Sequence, residues 1–191
     1  RRRLPKRLSK DDVYALLGAI PPSWHGTRDR AMIELMYRSG LRVSEIVELR
    51  CRDVNMVTGA VSVWRGKGGV DRTSYCDISS VTPAINAWMH RREETSAGSE
   101  NPLFCRADGG KLTTRSVQYA VRTYKEWAGI TAHCTPHTLR HTFASELIEE
   151  GFSTREVQVL LGHASVATTE VYTHVSEGAL AAKVRSRRAL L

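Results

Sequence analysis

No apolar run in this sequence approaches the roughly 20 residues that a membrane-spanning helix requires. Cysteine is scarce, and Cys51, Cys76, Cys105 and Cys134 stand far apart with no Cys-x-x-Cys pair. That spacing argues against a disulfide framework and fits free thiols in a reducing cytosol. Acidic residues are outnumbered, 20 Asp and Glu against 28 Lys and Arg, for a formal net charge of +8. A basic field draws polyanions and speeds their encounter, so nucleic acid is a natural partner, although charge alone does not identify one. Internal repeats and low-complexity stretches are absent. No secretory leader is visible, and the chain starts at Arg1 rather than Met, so a fragment or a processed product is expected.

What is present suits one globular domain. The 191 residues are 41% hydrophobic and 25% charged, enough for one substantial core. Basic residues crowd both ends: Arg1, Arg2, Arg3, Lys6, Arg7 and Lys10, then Lys183, Arg185, Arg187 and Arg188. Such ends either grip phosphates or form solvated tails. Residues 1–8, with Pro5 among them, read as a basic linker, and residues 9–191 as the domain.

Capping signals mark the helices. Ser9 with Asp12 opens one, which Pro21-Pro22 ends. A second spans about Thr27 to Ser39 and stops at Gly40; a short one covers Val43 to Leu49. The pattern then changes to strands, Val61 to Trp64 and Thr73 to Ile78, around the turn Gly66-Lys67-Gly68-Gly69. Thr82-Pro83 is expected to open the next helix with proline at its first position. Thr113 caps a helix to Ala128, Pro136 opens one to Glu150, and Ser153 caps one that ends at Gly162. Ser165 is expected to cap a helix through Tyr172, and a final helix to cover about 177–188. The expected fold is mainly α with a small antiparallel β-sheet, an α+β domain.

The chemistry concentrates in two places. His137 and Arg140 are three apart near a helix start and so share a face. A guanidinium offers a planar fork for two phosphate oxygens, and an imidazole beside it can move a proton near neutral pH. The plainer reading is a capping histidine and a surface arginine. A zinc site from His133, Cys134, His137 and His141 is disfavoured, because the usual glutamate between the paired histidines is missing and Arg140 adds a cation. Further on, Leu160-Leu161-Gly162-His163 precedes Thr168-Thr169-Glu170-Val171-Tyr172-Thr173-His174. Of the six tyrosines, Tyr14, Tyr37, Tyr75, Tyr119 and Tyr124 read as packing residues.

Together these segments resemble the tyrosine recombinases of the phage integrase family. The stretch from His137 to Ala144 is similar to their HxLRHTFA box, Leu160 to His163 to their LLGH box, and Thr168 to His174 to the segment bearing their nucleophile. Ser39-Gly40-Leu41-Arg42-Val43-Ser44-Glu45-Ile46 resembles the box of the first catalytic arginine, and Gly66-Lys67-Gly68 the lysine-bearing β-turn. Order and spacing agree across almost the whole chain, most closely with the Xer and integrase branch.

The resemblance implies DNA strand cleavage and rejoining through a 3′-phosphotyrosyl intermediate, with Arg42, Lys67, His137, Arg140, His163 and Tyr172 catalytic and Glu45 orienting them. Arg42 alone would pass for a surface residue. Lys67 is the expected proton donor to the leaving 5′-oxygen, or a simple phosphate contact, while Arg72 nearby holds its proton too tightly. The resemblance implies no metal and no cofactor. It further implies double-stranded DNA as partner, a cytoplasmic, nucleoid-associated setting, and tetramers on DNA with the C-terminal helix docked into a neighbouring subunit. Leu180, Ala181, Val184, Ala189, Leu190 and Leu191 are the expected docking face; the alternative is that they pack on their own domain. Residues 1–8 resemble the linker to an N-terminal DNA-clamping domain that this chain lacks. Alternatives of other kinds are DNA relaxation of the type IB topoisomerase kind and a non-catalytic DNA-binding module.

Overall fold

A computed structural model describes residues 7–64, 71–95, 97–98, 100–162 and 177–187. Among them are α1 (Lys10–Gly18), α2 (Trp24–Ser39), α3 (Val43–Glu48), β1 (Ala60–Val63), β2 (Arg72–Tyr75), α4 (Ile78–Arg92), α5 (Thr114–Trp127), α6 (Pro136–Glu149), α7 (Thr154–Leu161) and α8 (Glu177–Arg185). The strands pair antiparallel with Ala60 opposite Tyr75 and Val63 opposite Arg72, so the fold is mainly α with one small sheet.

α2 is the central element and packs on both α4 and α6. Its interior run Ala31, Met32, Ile33, Leu35 and Met36 is buried on every side, as a helix enclosed by others must be. The main core gathers these residues with Leu16, Trp88, Phe104 and Val121. A second cluster joins Tyr75 of β2 and Phe143 and Leu147 of α6 to Leu160 and Leu161 of α7, and to Leu180, Ala181 and Val184 of α8.

Most helix starts follow their caps. Ser9 accepts from the Asp12 amide at 3.0 Å, Thr113 from that of Ser116 at 3.0 Å, and Ser153 from that of Glu156 at 3.2 Å. Three expectations need correction. Ser23 accepts from the Gly26 amide, so α2 begins at Trp24 rather than Thr27. Asp77 caps α4 by accepting from the Ser79 amide, which moves the start to Ile78 and leaves Pro83 inside the helix. Leu8, read as linker, is buried in the core, and its amide donates to the Thr142 hydroxyl.

The docking face expected on the last helix is also revised. Leu180, Ala181 and Val184 lie within the second cluster of this same chain. Lys183 donates to both carboxylate oxygens of Glu156 at 3.1 Å, and Arg187 pairs with Glu146 and Glu150. α8 therefore packs on its own domain through an apolar face edged by ion pairs. Ala189, Leu190 and Leu191 fall outside the described residues.

Candidate active site

The site forms where two helix C-termini converge. α2 ends at Gly40 and α7 at Gly162, both left-handed, with φ of 63° and 60°. Neither position tolerates a side chain. A Cβ on Gly40 would come within 2.5 Å of Phe143, and one on Gly162 would overlap the stem of Arg72. The carbonyls at these ends carry the negative pole of each helix and so favour cations. Arginines answer them. Arg140 of α6 donates from Nη1 to the Gly40 carbonyl and from Nη2 to that of Leu161, both at 2.6 Å. Arg42 donates to the Gly162 carbonyl at 3.1 Å, and Arg72 to that of Leu160 at 3.3 Å.

One carboxylate sits among them. Arg42 precedes α3, and Glu45, three residues on, reaches back to accept its backbone amide at 2.7 Å and its Nη1 at 2.8 Å. The same carboxylate takes a two-point fork from Arg72, at 2.8 and 2.9 Å. Burial pushes the Glu45 carboxyl up, but the hydrogen bond and charge of Arg72, followed by the bonds from Arg42, outweigh it and hold it below the usual range. Arg140 is pulled down to about 10, by burial first and then by the charge of Arg42, so it remains a cation at neutral pH. Two guanidiniums thus bind one carboxylate, and a third lies near enough for the charges to be felt, so positive charge is in excess. Openness differs among them: 25% of the Arg42 side chain is exposed against 8% of Arg72.

His137 lies one helical turn before Arg140 on α6 and is exposed. Burial of its ring, then the neighbouring His141 and Arg140, lower its pKa from 6.5, so it is neutral at pH 7 and able to accept a proton. The His137 and His141 rings meet edge to face at 5.0 Å. Cys134 is buried, and no three metal-ligating side chains gather among the described residues.

The structure therefore brings Arg42, Glu45 and Arg140 together, with His137 one helical turn from Arg140 and within reach of its charge. Lys67, His163 and Tyr172 lie outside the described residues. Tyr37, Tyr75 and Tyr124 are buried, as packing residues should be, whereas Tyr14 and Tyr119 are 42% and 59% exposed. Sequence reasoning passed over Arg72 after rejecting it as an acid. Its partners, Glu45 and the Leu160 carbonyl, lie far from it in the chain, so no local signal marked it.

Arginines set against helix-end carbonyls, in a mainly α domain with a two-stranded sheet, define the class of fold and site. Comparison with known proteins narrows it. The model of the phage integrase family matches residues 6–178, and the chain belongs to that family. It is 43% identical to tyrosine recombinase XerD of Ralstonia nicotianae, over 91% of this chain and 57% of that protein. It is 36% identical to tyrosine recombinase XerC of Vibrio cholerae, over 91% of this chain and 55% of that protein. The chain thus spans about half the length of the curated relatives it matches. Among solved structures, XerA recombinase superposes with a TM-score of 0.76 at 32% identity, covering 94% of this chain and 64% of that one. XerH site-specific recombinase, bound to its difH substrate in a pre-cleavage complex, superposes with a TM-score of 0.73 at 26% identity, covering 85% and 48%.

Proposed function

We propose that this chain is the catalytic part of a site-specific DNA recombinase that cuts and rejoins strands through Tyr172. The observation that carries the reading is the excess of arginine charge, with Arg42 and Arg72 bound to Glu45 and Arg140 electrostatically coupled to all three. A phosphodiester gathers charge on its non-bridging oxygens as it is displaced, and fixed guanidiniums act most strongly at that moment. Arg42 and Arg140 are the groups that face the phosphate.

The Tyr172 phenol, with an ordinary pKa of about 10, loses its proton as it attacks phosphorus. Neutral His137 assists that loss or holds the phosphate. The phosphorus–5′-oxygen bond breaks, and Lys67 protonates the departing oxygen. His163 hydrogen-bonds a phosphate oxygen. The 3′-phosphotyrosyl ester stores the bond energy, so a partner strand's 5′-hydroxyl can reverse the attack without ATP. The outward side chains Arg115, Gln118 and Arg122 of α5 add basic and polar surface for the flanking DNA. The partner is double-stranded DNA in the bacterial cytoplasm and nucleoid, and the working assembly is a tetramer that also uses DNA-clamping sequence outside this chain.

A suicide duplex, nicked so that the cut strand diffuses away, tests the reading. Wild type is expected to trap a covalent protein–DNA adduct and Tyr172→Phe none. An adduct that survives in Tyr172→Phe moves the nucleophile elsewhere. Supercoil relaxation without strand exchange identifies a topoisomerase instead, and absence of any adduct with the full-length protein identifies a binding module.

A further inference from the structure

Arg72 commits both terminal nitrogens of its guanidinium to the Glu45 carboxylate, where Arg140 spends its own on backbone carbonyls. The Arg72 Nη1 and Nη2 fork onto the two Glu45 oxygens at 2.8 and 2.9 Å, its Nε holds the Leu160 carbonyl at 3.3 Å, and only 8% of its side chain is exposed. To touch DNA it would have to abandon Glu45. Its path is built into the fold, because its stem runs past Gly162, where any Cβ would overlap it. Arg42, by contrast, shares the same carboxylate through one hydrogen bond of its guanidinium and keeps a quarter of its side chain open.

The charge balance turns on this arrangement. With Arg72 present, three cations stand against one anion. Without it, Glu45 would have Arg42 as its nearest cation and would cancel much of the field that Arg42 directs outward. We propose that Arg72 is a positioning residue for strand cleavage: it takes up the Glu45 carboxylate so that Arg42 keeps its charge for the scissile phosphate. This rests on the reading of Arg42 and Arg140 as the phosphate clamp. Arg72 leads the groups that keep Glu45 ionised, ahead of Arg42, which agrees with this division of labour.

A purely structural arginine would not make the following prediction. Removing Arg72 alone leaves two cations against one anion. Removing the charges of Arg72 and Glu45 together leaves two cations and none against them, which restores the net charge of the wild-type site. The double variant should therefore outperform the single one.

The experiment is single-turnover adduct formation on a suicide duplex by the full chain, with DNA affinity measured separately. Wild type, Arg72→Met, Glu45→Gln and Glu45→Gln/Arg72→Met are compared. Each is also given a duplex with a methylphosphonate at the scissile position, where a methyl group replaces one charged oxygen. Arg72→Met is expected to slow adduct formation about 10–100-fold with DNA affinity unchanged. The double variant is expected to regain most of that loss, and the Arg72→Met deficit to shrink on the neutral linkage. A double variant as slow as Arg72→Met, or a deficit of equal size on both duplexes, overturns the proposal. Should Arg72→Met fail to fold, the double variant carries the test, since it buries no unpaired charge. A rate near wild type then supports the proposal, and a rate lower by about 10–100-fold overturns it. A wild-type protein that forms no adduct removes the clamp reading itself, and the role of Arg72 with it.

Discussion

Two arginine centres lie at opposite ends of α2, and they differ in how their charge is balanced. Near its start, Arg28 donates to Asp29 at 2.8 Å, and the Tyr124 hydroxyl donates to the other Asp29 oxygen at 2.9 Å. Arg28 also holds the Cys105 carbonyl at 3.2 Å. One cation meets one anion, and both side chains are nearly enclosed, at 10% and 5% exposure. Just past the other end of α2, Arg42 and Arg72 share Glu45, the charge of Arg140 is felt beside them, and Arg42 stays partly open to solvent. A closed pair fixes elements in place. An unbalanced one is costly to assemble, and the carbonyls at two helix ends offset part of that cost here. The excess is what an anionic substrate would meet.

The contrast extends to tyrosine. Burial, then the Asp29 charge and hydrogen bond, push the Tyr124 phenol well above its ordinary value. Tyr37, bonded to Glu146 at 2.6 Å, is raised in the same way. A phenol locked beside a carboxylate resists losing its proton, so these tyrosines serve the core rather than the chemistry.

The comparison can be broken by exchanging the consequences of mutation at its two ends. Asp29→Ala strands a buried Arg28 and should cost about 3–5 kcal/mol of stability, read by denaturant melts, while the cleavage rate per folded molecule stays put. A lost rate without lost stability would make the closed pair part of the site. Arg140→Ala should do the reverse, slowing adduct formation about 10²–10³-fold in protein that still folds and binds DNA. An Arg140→Ala variant that cleaves normally would reduce the second centre to another scaffold.

pH sharpens the difference further. Because His137 is lowered from 6.5 by burial and by its cationic neighbours, adduct formation should rise with pH along a limb whose midpoint lies below 6.5. His137→Gln should remove that limb; a limb that persists belongs to another group. The smallest effect concerns Glu45. Its folded pKa lies below the ordinary 4.5, so its stabilising contribution is whole above 4.5 and fades as pH falls through the depressed value. Wild type should therefore lose stability more steeply than Glu45→Gln on acidification below pH 4.5, in melts at stepped pH. Parallel curves would show that Glu45 gains nothing from its arginines.

Much of this was legible in the sequence where the signal is local. Ser9 with Asp12, Thr113, Ser153, Gly40 and Gly162 mark helix ends through bonds or backbone angles set within a few residues. Pro83 misled because proline favours a first turn, whereas Asp77 captured the helix start earlier. In the site, Arg42, Glu45, His137 and Arg140 could be read from motif and spacing. Arg72 could not. Its partners, Glu45 and the Leu160 carbonyl, are 27 and 88 residues away in the chain. Only folding brings β2, α3 and the end of α7 together. The cis packing of α8 was equally hidden, since an apolar face with Leu180 and Val184 suits its own domain and a neighbour alike.

The central claim is that the surplus charge past the end of α2 receives the scissile phosphate. A crystal structure of the protein on a duplex carrying its cleavage site tests this most directly. The expected result places the phosphate's non-bridging oxygens about 3 Å from the guanidinium nitrogens of Arg42 and Arg140, with the Tyr172 oxygen opposite the leaving 5′-oxygen. DNA bound with that phosphate elsewhere, and with Arg42 and Arg140 facing no part of it, would contradict the account.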